Sequence, residues 1–340
     1  MKFLNILTLA TALYGSSHQI LKAQEWGVWY DAEMQTDFKG HCNYVNLFYL
    51  SADCPLGEHL SVSAASISIL KSRDESLVND LQTFSNIEAD NQPFTLAIAG
   101  MSWKPNDKQT LFFGIRNVNE DYFTSDLTSL FLNSSCGIFP TLSCNMDIAN
   151  YPLASMCIHY NYSSQSLNFL ASAYNGQGYD RLTGADNLWR IPPRSDGLFF
   201  ITQADWKKGR GIYFFGAAHQ SGHICESSDV LDGASSQTVL WTYTEQSLTD
   251  HFYLIADYSH TFGRSALCTD FVGLGGQYAQ SKSTLGLFSD FAHFRDDAEW
   301  ATELTYKYNL TSSLFLQASC QLIHHGSWQS VGMLRLSVRI

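Results

Sequence analysis

The chain has 340 residues, only 15% of them charged and 14% aromatic, with Tyr and Phe supplying most of the aromatics. So few helix-surface charges and so many strand formers lean to an all-β protein, and the length suits one large domain or two smaller ones. Twenty basic against 32 acidic residues leave a formal charge of −12, which argues against a nucleic-acid partner and is compatible with a cation-tolerant aqueous lumen.

The N-terminus carries Lys2, an apolar run from Phe3 to Leu13 and then small polar residues, the order of a secretory signal peptide. Cleavage is expected after Ala23; losing Lys2 and Lys22 takes the formal charge from −12 to −14. No later stretch offers ~18 apolar residues in a row, so a helical membrane protein is not expected. The mature chain, 24–340, is then either soluble and exported or a barrel in the outer membrane of a Gram-negative cell.

Segments of alternating apolar and polar residues follow, bounded by Gly, Pro, Asn, Asp or Ser clusters, at 26–35, 43–51, 58–70, 93–103, 109–117, 152–162, 166–174, 197–206, 210–219, 236–245, 251–260, 270–279 and 284–293. Of these, 58–70 and 270–279 alternate least well. Three clearer segments complete the chain. From Ala298 to Leu310 the even positions, such as Trp300, Leu304, Tyr306 and Tyr308, are mostly apolar, while Glu299, Glu303, Thr305 and Lys307 occupy the other face. After the Thr311-Ser312 turn, Leu314, Leu316, Ala318, Cys320 and Leu322 oppose Ser313, Gln317, Ser319 and Gln321, with Phe315 as the exception. The last segment sets Gly332, Leu334, Leu336, Val338 and Ile340 against Gln329, Arg335, Ser337 and Arg339, which places two arginines in the lumen.

The expectation is a transmembrane antiparallel β-barrel of about 16 strands, a size that leaves an aqueous channel. The alternative is a secreted carbohydrate-binding or hydrolytic β-sandwich. Stopping in mid-pattern at Ile340 suits a strand that closes a barrel.

The longest interruption runs over about 118–150. Its Ser125-Asp126 start and the spacing of Leu127, Leu130 and Phe131 allow a short helix. In a barrel such a loop can fold inward as a constriction; otherwise it caps the outside. Arg116 shares the parity of Thr110, Phe112 and Gly114 and should face inward. The expected lumen and constriction residues are Arg116, Glu120, Asp121, Asp126, Asp257, Glu299, Glu303 and Arg335. Carboxylates that accept, guanidinium groups that donate and aromatic faces that cover C–H patches suit hydroxyl-rich solutes. Any one Arg–Glu pair can equally be a wall-bracing salt bridge.

The eight cysteines, at 42, 54, 136, 144, 157, 225, 268 and 320, include no CxxC pair, so a zinc site is not expected. Cys136 with Cys144, and Cys42 with Cys54, are candidate disulfides in an oxidising compartment, or free buried thiols. His219 with His223, and His324 with His325, sit at strand–turn junctions, where no helix brings two rings to one face. Asp296-Asp297 and Glu299/Glu303 are carboxylate pairs that no second feature marks as a hydrolase site. Neither a cofactor nor an enzymatic activity is expected.

Leu111-Phe112-Phe113-Gly114-Ile115-Arg116-Asn117, then Asp121-Tyr122-Phe123, Phe131-Leu132-Asn133 and Ala149-Asn150-Tyr151-Pro152-Leu153-Ala154, form an ordered set with later segments. These are Gly197–Trp206, Ile212–Gly222, Phe252–Asp257, Glu303–Tyr308, Leu314–Ala318 and Leu334-Arg335-Leu336. Over roughly 95–340 this set resembles the carbohydrate-selective porins of the OprB type. The resemblance implies a 16-stranded outer-membrane barrel, monomeric or homotrimeric, that passes small sugars by facilitated diffusion without cofactor or energy source. The chain departs from the family in having Leu316–Gln321 where a Pro-containing strand entry is usual, and Ile340 where an aromatic residue is usual.

Overall fold

The computed structural model describes residues 25–222, 236–263 and 266–340. The expected signal peptide, His223 and Cys225 lie outside the described residues. Strands β1 (Glu25–Thr36), β2 (Cys42–Pro55), β3 (Leu60–Lys71), β4 (Gln92–Asn106), β5 (Gln109–Arg116), β6 (Ser155–Ser163), β7 (Leu167–Asn175) and β8 (Leu198–Lys208) form the first half of the sheet. The second half is β9 (Gly211–Gln220), β10 (Gln237–Ser247), β11 (Phe252–Phe262), β12 (Cys268–Ala279), β13 (Ser283–Phe294), β14 (Ala298–Asn309), β15 (Leu314–His325) and β16 (Ser327–Arg339).

Each strand pairs antiparallel with the next, and β16 returns to β1, so the 16 strands form a closed barrel. At the seam Trp29 lies opposite Arg339 and Glu33 opposite Arg335. The Val28 N–H donates to the Ile340 carbonyl at 2.8 Å, and the Ile340 N–H donates back at 2.9 Å. Closure removes the free edges that a sandwich would keep, which rules out the two-sheet alternative. All sixteen expected segments fall on strands, with no end displaced by more than four residues.

Two rims follow from the connections. At one rim the turns are short, spanning 56–59, 107–108, 164–166, 209–210, 248–251, 280–282 and 310–313, and β1 starts and β16 ends there. The opposite rim carries the longer connections, including 72–91 and 117–154. Among its short ones is the link between β15 and β16, where Gly326 alone makes the turn at φ +67°, a conformation costly for a residue with a Cβ.

Outside, Trp300, Leu304, Tyr306, Leu322 and Leu334 are exposed, while Glu299, Glu303, Gln321 and Arg335 on the same strands are buried inward. So continuous an apolar outer face suits lipid rather than water. No helix among the described residues is long and apolar enough to cross a membrane. The core lies within the lumen, where Phe123, Phe139, Leu142 and Ile148 of the 117–154 loop pack against Tyr174, Phe199, Phe214, Trp241 and Phe271 of the wall. Phe139 stacks on Phe271 at 5.1 Å between ring centroids, and Phe123 meets Trp241 at the same separation.

Candidate functional site

The 117–154 segment folds into the barrel because the wall offers acceptors for its backbone. Glu245 accepts from the Leu127 N–H at 3.0 Å and from the Ser125 hydroxyl. Glu303 accepts from the N–H groups of Leu132 and Asn133, both at 2.9 Å, and from the Ser319 hydroxyl at 2.7 Å. Gln277 and Gln317 donate to the carbonyls of Leu127 and Leu130. Groups that a helix would pair internally are thus paired with the wall. Around Ser125 the expected helix is accordingly only a 3-10 turn, Thr128–Leu130, and the one α-helical turn of the segment is Pro140–Ser143. On the opposite side the Tyr122 hydroxyl lies 2.8 Å from Ser172 Oγ and donates to the Ile201 carbonyl at 3.1 Å.

Since this loop fills the β6–β13 side, open space is left beside the seam. A cavity of about 870 Å³ is bounded by β1–β3, β14–β16 and the two long loops. Arg335 on β16 donates to Glu33 (2.7 Å) and to Asn86 Oδ1 (2.8 Å). Arg339 pairs with Asp31 at 3.0 Å and lies 3.7 Å over the Trp29 ring. Lys307 Nζ lies 3.8 Å from the centre of the Phe315 ring. From the loops come Glu88 and Glu120, and the Tyr49 hydroxyl donates to Glu120 at 3.1 Å. Burial pushes both carboxyl pKa values up, while Arg116 near Glu120 and Lys71 near Glu88 act in the opposite direction.

A smaller cavity of about 300 Å³ adjoins β2–β6 and is lined by Asp53, Arg116, Asp121 and His159 among others. Arg116 grips Asp121 with two nitrogens, Nη2 at 2.6 Å from Oδ1, and His159 Nε2 stands 3.6 Å from the same oxygen.

The structure therefore divides the expected residues. Glu120 and Arg335 line the larger cavity and Arg116 and Asp121 the smaller. Asp257, Glu299 and Glu303 face inward but are buried between wall and loops, at most 3% exposed. Glu299 accepts from the Leu81 N–H of the 72–91 loop. Neither oxygen of Asp257 has a hydrogen-bond partner among the described residues. Asp126 is exposed and lines neither cavity. Cys136 and Cys144 are separate thiols: Cys136 packs with Phe131 and Phe288, whereas Cys144 turns to the Leu81 carbonyl at 3.8 Å. His219 contacts Thr238 Oγ1 at 2.9 Å, and His325 contacts Asp297 at 2.7 Å. Lys307 and Arg339 have the inward parity in the sequence, which by itself does not mark them as site residues; Asp31, Glu33, Glu88, Tyr49 and Trp29 lie before residue 95, outside the stretch that carries the resemblance.

A closed 16-stranded barrel with the connection between β5 and β6 folded into its lumen has the porin architecture. The high-pH structure of Pseudomonas putida OprB is similar over 93% of this chain and 94% of its own, with a TM-score of 0.78 and 15% identity. The anion-selective porin from Comamonas acidovorans aligns over 94% and 99%, with a TM-score of 0.61 and 11% identity. OmpT of Vibrio cholerae lacking loop L8 aligns over 94% and 99%, with a TM-score of 0.61 and 10% identity. No family model and no curated protein matches the sequence. The resemblance to OprB-type porins read from the motifs is met by a likeness in fold.

Proposed function

We propose that the protein is a porin of the Gram-negative outer membrane, exported with a cleaved signal peptide, through which small sugars diffuse passively. The observation that carries this reading is the lumen cavity of about 870 Å³, in which Glu120 with Tyr49 and Arg335 with Glu33 present acceptors and donors. A sugar entering it exchanges hydration water for these groups, and the Trp29 face covers apolar C–H patches. Binding is kept weak because Glu120, Arg335 and Arg339 already have protein partners, so the solute can leave. The OprB fold likeness and the ordered motifs support sugars over other solutes. Chemistry on the solute, a cofactor and an energy source are not part of the proposal, and the barrel is monomeric or homotrimeric.

Liposome swelling with sugars of graded size tests it. Monosaccharides should enter proteoliposomes faster than disaccharides, and entry no faster than into protein-free liposomes would reject the function.

A further inference from the structure

Phe315 is the residue that breaks the polar face of β15, and the structure gives it an occupation. Its ring carries Lys307 Nζ at 3.8 Å and lies 5.3 Å from the Arg339 guanidinium, which itself lies 3.7 Å over the Trp29 ring. All four residues line the larger cavity. Their charges are not balanced. Arg339 is paired with Asp31, which also accepts from Trp29 Nε1 and the Ser337 hydroxyl. Lys307 has no carboxylate within ion-pair distance among the described residues; its contact is the Phe315 ring. A ring face orients an ammonium without cancelling its charge.

The other acids of the cavity lie elsewhere. Glu33 is taken by Arg335, and Glu88 and Glu120 come from the long loops. Arg335 and Arg339, four residues apart on β16, are ~13 Å apart along the strand, more than a Debye length at physiological salt. The turn-rim end of the cavity therefore carries about one surplus positive charge, in a chain whose formal charge is −12.

We infer that Lys307 and Arg339, seated on Phe315 and Trp29, form an anion station in the lumen for small hydroxylated monocarboxylates, the sugar acids. This rests on the porin reading and narrows it to anionic sugars in preference to neutral ones. One surplus charge matches a monoanion better than a dianionic phosphate, and the part of the Trp29 ring left open to the cavity takes the C–H face of the chain.

The test compares uptake of labelled gluconate and glucose into liposomes carrying the full barrel. One unit charge about 5 Å away in a water-like dielectric, screened at physiological salt, favours the anion about twofold, so at physiological salt gluconate should lead glucose by about that ratio. Lys307→Gln should bring the ratio to about one, and Lys307→Arg should keep it. Salt of about 1 M should erase it in the unsubstituted protein, which decides the matter if the Gln variant does not assemble. A ratio of one or below, a ratio unmoved by Lys307→Gln, or a preference that survives high salt would overturn the inference while leaving the porin standing. Entry of neither solute would overturn both.

Discussion

Replacing Glu303 by Ala should release the inserted loop from the wall. Glu303 takes two loop amides, Leu132 and Asn133, each at 2.9 Å, and is 2% exposed. Hydrogen bonds to a charged acceptor contribute about 1.5–3 kcal/mol each. Lumen water reaches the freed amides once the loop lifts, so the lower figure applies, about 3 kcal/mol for the two. At 1.4 kcal/mol per decade that raises the population of the detached loop by about 100-fold. Cys136 reports it, because it is buried beneath this stretch with Phe131, Ile255 and Phe288, and burial pushes its thiol pKa well up. Site-resolved maleimide labelling of Cys136 should quicken by about two decades in Glu303→Ala, with bursts of larger single-channel conductance. Glu303→Gln, which keeps a carbonyl acceptor but no charge, should give roughly half the effect in free energy. Wild-type labelling rates in Glu303→Ala would refute the idea that this carboxylate holds the loop.

Arg116→Ala leaves Asp121, 9% exposed at its side chain, without its guanidinium. Breaking a buried pair costs about 3–5 kcal/mol, less beside a wet cavity, so the gel transition from folded to heat-denatured mobility should shift to lower temperature. In the 72–91 loop, burial pushes the Asp80 carboxyl up to about 6 although its Oδ2 accepts from the Phe84 N–H at 2.7 Å. The neutral form is favoured by folding, so this contribution is full below about pH 4 and is lost as pH rises through about 6. Proteolysis of that loop should therefore be slower at pH 5 than at pH 7.5, and Asp80→Asn should remove the difference. Gly216→Val sets a side chain into the Trp241 indole, which packs on Phe123 of the loop. Overpacking there should cost about 1–3 kcal/mol and lower the same gel transition; an unchanged transition would show that the Trp241 site has room.

The strands that were easiest to read are those whose two faces meet different media. On β14–β16 the outward residues meet lipid-like surroundings and the inward ones meet charged or hydroxyl groups, so alternation is strong. On β8–β10 it fades, because inward Phe199, Phe214, Val239 and Trp241 seat the loop and are as apolar as outward Phe200, Phe215 and Leu240. Parity alone sufficed to turn Arg116 inward. Which inward charges meet open space depends on the path of the loop, and parity carries no information on that. Glu303 and Lys307 share one face of β14, yet one is covered by Leu132 and Asn133 and the other lines the cavity. The exception at Phe315 was the one local sign of the cation platform.

The ion pairs Glu33–Arg335 and Asp31–Arg339 join the first strand to the last, and both arginines line the cavity. Until β16 docks on β1, each arginine is parted from its counter-charge on the other free edge. Assembly of the barrel and completion of the wall of its cavity are therefore a single event. A misregistered seam would shift the charge pattern of the cavity in the same step, so under the proposed porin function variants that weaken closure should alter solute preference before they abolish insertion.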